Sequence, residues 1–173
     1  SLSPEVAVGG EIELEIRPAG NIISATYFDR VTDDLIEWTR TLNPNDTTDW
    51  QPNNFGEIRH KGLQLTWRSN TYGPMQFGGS YTWLNSDLTT GLPANQETRY
   101  AQNHFRHQTL GYVRMQQGPF ALTNDLRYQI RKSDGSNTIA DGGYLLWDGR
   151  ITYEKFYSAS KVRSSVFFDI QNI

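Results

Sequence analysis

Phe120-Ala121-Leu122-Thr123-Asn124-Asp125-Leu126-Arg127-Tyr128-Gln129-Ile130 reads as two interleaved series. One parity is Phe, Leu, Asn, Leu, Tyr, Ile; the other is Ala, Thr, Asp, Arg, Gln. Side chains alternate across a β-strand with period two, so this ribbon carries an apolar face and a charged face. The pattern recurs at residues 11–17, 75–84, 144–154 and 162–171. Repeated strands of roughly ten residues, apolar outward and polar inward, are the signature of a transmembrane β-barrel wall.

Composition agrees. The chain is 36% hydrophobic and 13% aromatic, which suits a wall in which only every second residue is apolar and aromatic girdles mark both interfaces. No run of about twenty apolar residues is present, which excludes a membrane-spanning helix. A net charge of -3 argues against nucleic-acid binding, which requires a basic face. With no cysteine, disulfides, thiolate metal sites and cysteine nucleophiles are excluded.

The connections are of two kinds, and they alternate. Short polar turns occur at Pro18-Ala19-Gly20-Asn21, Asn70-Thr71-Tyr72-Gly73-Pro74, Gln116-Gln117-Gly118-Pro119 and Tyr157-Ser158-Ala159-Ser160-Lys161. Gly, Pro and Asn there supply the backbone geometry of tight hairpins. Longer polar stretches separate them at residues 43–55, 86–103 and 133–142. An outer-membrane barrel places short turns on the periplasmic side and long loops outside. The pattern predicts an all-β, antiparallel, up-and-down sheet of about eight strands, at 10–18, 22–38, 56–69, 75–86, 104–116, 119–132, 143–155 and 162–172.

Parity assigns Ile12, Leu14, Ile16, Leu63, Leu65, Trp67, Tyr81, Trp83, Leu122, Leu126, Ile130, Trp147 and Phe168 to lipid. It assigns Glu11, Glu13, Glu15, Arg17, Gln64, Arg68, Asp125, Arg127, Arg131, Asp148, Arg150 and Asp169 to a wet lumen. The strand at 104–116 is cleanly apolar on neither parity.

Several short motifs, in order, resemble the TonB-dependent outer-membrane receptors, which take up iron chelates, cobalamin and related scarce nutrients. These are Leu2-Ser3-Pro4-Glu5 before a Glu-rich strand and Ile23-Ser24-Ala25-Thr26-Tyr27-Phe28 followed by Asp33-Asp34-Leu35-Ile36. They continue with Asn54-Phe55-Gly56-Glu57, Lys61-Gly62-Leu63-Gln64-Leu65, Gly79-Ser80-Tyr81-Thr82 and Asp169-Ile170-Gln171-Asn172-Ile173. Gln64 stands where the family pattern has Glu. The resemblance spans residues 1–173 and implies late strands of a barrel of about 22 strands with a plugged lumen. Ser1 opens with neither a basic nor an apolar leader, and the last residues fall inside a strand pattern. The expectation is therefore a piece of a longer receptor, without plug, TonB-box peptide, early strands and final strand. Implied partners are outer-membrane lipid, a metal-chelate or other small nutrient, and the TonB complex through the N-terminal part. The implied location is the bacterial outer membrane.

Chemistry is sparse. His104 and His107 are three apart, which in a strand puts them on opposite faces and argues against a metal pair. Asp29, Asp33, Asp34, Asp46 and Asp49 lack the spacing of a calcium loop and read as solvated carboxylates. Glu13 and Glu15 share a face, but a lumen wall accounts for them without catalysis. No catalytic residue, metal site or cofactor is expected. Trp50, Arg99, Tyr100 and His104 combine aromatic area with hydrogen-bond donors and are the candidate extracellular contacts for an anionic or catecholate-like ligand. Two readings compete with the receptor: a passive porin-like barrel, and a soluble β-sandwich binding module with its apolar face buried between sheets.

Overall fold

The computed structural model describes residues 2–42, 49–88, 95–98, 104–131, 143–157 and 162–171. They form nine strands: β1 (Val6–Ile16), β2 (Ile22–Thr41), β3 (Gln51–Arg68), β4 (Met75–Leu88), β5 (Gln96–Thr98), β6 (Phe105–Gln117), β7 (Phe120–Arg131), β8 (Gly143–Tyr157) and β9 (Val162–Ile170). All belong to one antiparallel sheet in the order β1-β2-β3-β4-β6-β7-β8-β9, with β5 added on β2. Each long strand pairs with its sequence neighbour, as an up-and-down wall requires. Among the described residues β1 and β9 do not pair with each other, so the sheet is an open barrel segment.

The eight expected strands are all present, with shifted ends. The first runs over Val6–Ile16 rather than 10–18, and the second and third reach Thr41 and back to Gln51. Part of the expected loop at 43–55 is therefore hairpin, and the expected loop at 86–103 contains β5. Backbone pairing continues where alternation of side chains stops, and hydropathy alone does not register it.

The tight turns line one rim. Pro18–Gly20 forms a single 3-10 turn whose Ala19 and Gly20 both have positive φ. The Asn70 amide donates to Asn21 Oδ1 at 3.0 Å, joining that turn to the next hairpin turn. Farther along the rim, Gln116 N donates to Pro74 O at 2.8 Å and Glu154 N to Pro119 O at 2.7 Å. The expected fourth turn, at Ser158, and the loops around Asp46, Pro93 and Ser136 lie outside the described residues.

Register makes the two faces continuous. One outward row runs Leu14, Ala25, Leu65, Tyr81, Thr109, Tyr128, Leu145; the next runs Ile16, Ile23, Trp67, Gly79, Gly111, Leu126, Trp147. The opposite face carries Glu15, Ser24, Thr66, Ser80, Leu110 and Arg127 in one row. The ambiguous strand is thereby resolved. In β6, His107, Thr109, Gly111, Val113 and Met115 share the row positions of the outward face, because they pair with Trp83, Tyr81, Gly79, Phe77 and Met75. Its register shifts between Phe105 and His107, so an alternation begun at His104 falls out of step.

The outward face is unpartnered. Ile12 is 76% exposed, Val166 69% and Phe168 63%, while Ile58 is the buried hydrophobic residue of the core among the described residues. A soluble sandwich buries one face of each sheet against a second sheet; here the described strands form a single sheet, so that reading fails. On the polar face Glu15, Arg17, Arg68, Asp125, Arg127 and Asp148 border a trough of about 690 Å³. By register Leu126 lies in the row of Trp147, and Asp125 and Arg127 lie on the opposite parity with Asp148, while all three border the trough.

Candidate functional site

The apolar band on the outward face has a sharp far limit. Tyr27, Leu63, Trp83 and His107 form its last row there, and the row beyond is Asp29, Lys61 and Asn85. Arg59, next on the same parity, forms a two-pronged ion pair with Asp29, the Nε arm at 2.8 Å. Toward the turn rim, Phe120 and Tyr153 pack with ring centroids 5.2 Å apart. From Met75 to Trp83 the strand rises about 26 Å, or roughly 20 Å along the normal once tilted, near the ~25 Å apolar band of a barrel. Aromatic side chains at both limits and charge beyond are what a bilayer selects.

Beyond this limit the β2–β3 hairpin continues free of the apolar pattern. Its ladder skips Asp34 opposite Gly56, with φ of 53° and 32°, and resumes in the same register at Leu35 and Phe55. Neighbouring polar groups hold this irregular point. Asn54 Nδ2 donates to Asp34 O at 2.8 Å and to Ser3 O at 2.9 Å, while Ser3 N donates to Asn54 Oδ1 at 2.7 Å. The Glu5 carboxylate accepts the Ile36 amide at 2.6 Å. These bonds occupy backbone groups on β2 past Val6, where β1 ends.

At its tip the same strand receives β5. Thr39, Arg40 and Thr41 pair with Thr98, Glu97 and Gln96, and Leu42 N donates to Asn95 O at 2.7 Å. The pairing crosses the fold: β4 and β6 lie beyond β3, yet the segment between them adds to the edge of β2 on the side away from β3. Arg40 anchors it. Its Nε donates to Glu97 Oε2 at 2.9 Å, its Nη2 lies 2.8 Å from the same oxygen as the ion pair, and its guanidinium carbon lies 4.7 Å from the Trp50 ring centroid. Thr39 and Glu37 on the same strand are buried, and Asn53 Nδ2 donates to Thr39 Oγ1 at 2.7 Å.

Of the expected contact residues, Trp50 lies in this cluster, against Arg40. His104 stands at the head of β6, at the same end but separated from the hairpin by β4. Arg99 and Tyr100 lie outside the described residues. Sequence reasoning missed Arg40 and Glu97. Arg40 continues the alternation of Trp38-Thr39-Arg40-Thr41, a signal that the strand runs on, but its partner is 57 positions away. Among the described residues no group of three or more His, Cys, Asp or Glu is placed to hold a metal ion.

A family model described as "TonB dependent receptor-like, beta-barrel" matches residues 1–173. The chain belongs to the TonB-dependent receptor-like β-barrel family. No curated protein matches it in sequence. In an outer-membrane barrel the apolar face of the wall meets lipid, the polar face lines the lumen, and the short turns lie on the periplasmic side. The Arg40–Trp50–Glu97 cluster lies at the end of the sheet opposite the turn rim. The family comprises outer-membrane receptors and transporters.

Proposed function

We propose that this chain forms part of the barrel wall of a receptor that imports a scarce nutrient, such as a ferric siderophore or cobalamin, across the bacterial outer membrane. In this reading a plug domain closes the lumen, and the TonB complex drives passage through an N-terminal part of the receptor. The observation that carries the reading is the unbroken two-faced sheet, with lipid-suited rows across seven paired strands and a charged lumen behind them. Trp50, Arg99, Tyr100 and His104 are the proposed extracellular contacts. Aromatic and cationic groups suit the planar, anionic faces of metal chelates.

The test is uptake of radiolabelled ferric chelates and cobalamin by cells carrying the full-length receptor, with and without a working TonB complex. Accumulation of one ligand that disappears without TonB is the expected result. Flux that proceeds equally without TonB would identify a passive pore instead.

A further inference from the structure

We propose that Ser3-Pro4-Glu5 is a strap that locks the kink of the β2–β3 hairpin, so that the hairpin beyond it keeps one direction relative to the wall. Such a strap acts whatever solute the receptor carries.

Three observations carry it. First, β1 is stopped while β2 continues. The last pair joins Val6 to Asp33, and β2 runs on to Thr41. Pro4 has no N–H to donate, so a ladder cannot extend through it. Second, side chains replace the missing ladder. Ser3 N donates to Asn54 Oδ1 at 2.7 Å, and Ser3 O accepts from Asn54 Nδ2 at 2.9 Å. That is the exchange of one donor and one acceptor that a paired strand residue makes. The Glu5 carboxylate accepts the Ile36 amide at 2.6 Å. Asn54 is on β3 and Ile36 stands opposite it on β2, so the segment before β1 holds both strands of the hairpin at one level. Third, what it holds is strained. Asp34 and Gly56 have φ of 53° and 32°, and Asn54 Nδ2 also donates to Asp34 O at 2.8 Å. A residue with a Cβ stays in that region only where its surroundings over-determine it.

Without the strap two relaxations open. Asp34 can return to an extended conformation, and the Ile36 amide can turn to water. Either one re-aims the hairpin, because a change in one backbone dihedral swings everything beyond it. Bonds from Ser3 and Glu5 close off both.

Amide hydrogen exchange of the purified full-length receptor tests this, because exchange reads local opening. The reporter is the segment Leu35-Ile36-Glu37-Trp38, with residues 122–128 of β7 as internal control. Heat-modifiable mobility verifies that each variant has assembled. Glu5→Ala should speed exchange of the reporter about fivefold, the scale of one hydrogen bond. Asn54→Ala should speed the same amides, although its side-chain bonds go to Ser3 and Asp34. The double variant should be little faster than either single one, since either change breaks the strap. The control segment should not change. Where alanine prevents assembly, Glu5→Gln and Asn54→Asp each keep part of their bonds and should give the same pattern on a smaller scale. A response to only one of the two positions, or effects that multiply in the double variant, would show two separate caps instead of a strap. Unchanged exchange in every variant would show that the kink holds itself. Either result overturns the proposal. Exchange requires neither ligand nor energy coupling, so uptake that persists without TonB would refute the receptor reading and leave this result to stand or fall separately.

Discussion

The wall at β7–β8 and the tip of the β2–β3 hairpin are both two-stranded antiparallel pairings, yet different forces choose their residues. In the wall, Leu122, Leu126 and Tyr128 pair with Ile151, Trp147 and Leu145, all on one face, and the opposite parity holds Asp125, Arg127, Asp148 and Arg150. Lipid on one side and water on the other penalise every parity error. At the tip the parity of Glu37 and Thr39 is buried although both are polar, and Arg40 meets Trp50 and Glu97 without an apolar row. There, order comes from polar bonds: Glu5 on the Ile36 amide, Asn54 across Asp34 and Ser3, and Glu97 on Arg40. The wall is specified by solvent partition, and the tip by individual partners.

The comparison breaks first, and hardest, in the wall. Leu126→Arg places a charge on the lipid face, at a cost of roughly 2–4 kcal/mol near the midplane. Arg127→Leu puts a leucine in a lumen row that already holds Leu110 and Leu146. In the full receptor, heat-modifiable gel mobility should show assembly lost for the first and retained for the second. Equal tolerance of both, or greater damage from Arg127→Leu, would mean that the faces are wrongly assigned.

Next comes close packing within the sheet. A side chain at Gly62 would collide with the Trp83 carbonyl oxygen and the Phe28 ring. Overpacking of this kind costs about 1–3 kcal/mol. Gly62→Val should lower the unfolding midpoint of the refolded receptor in urea; an unchanged midpoint would show that the strands separate at no cost.

At the tip a smaller and more local effect is expected. Gly56 has φ of 32°, a conformation that costs a residue with a Cβ roughly 1–2 kcal/mol. Gly56→Val should leave assembly intact and increase proteolytic cleavage of the extracellular hairpin. A variant that fails to assemble would show that the tip is integral to the wall. The smallest effect belongs to the Asp29–Arg59 pair, just past the aromatic row. Arg59→Ala should shift the unfolding midpoint slightly at low salt and not at all in high salt, because exposed pairs are screened. A shift that survives high salt would place this pair in a drier setting than the charged row implies.

By itself the sequence determined the all-β class, the eight long strands, the rim of tight turns and the lipid and lumen parity of seven strands. A bilayer demands period two over every crossing, and hairpin turns demand Gly, Pro and Asn; both demands are local and written in neighbouring residues. Tertiary structure alone decided the rest. The face of β6 follows from its neighbours, because Thr109 and Gly111 carry little polarity signal while Leu110 and Tyr112 point into the lumen rows. The extension of β2 to Thr41, the addition of β5 and the joining of Arg40 to Glu97 rest on lateral pairing between distant segments. Trp50 was legible as an aromatic in a polar loop, but the cation it stacks on was not. A backbone hydrogen bond in water accepts almost any side chain, so pairing past the membrane leaves no pattern along the chain, and only the folded sheet shows which strands meet.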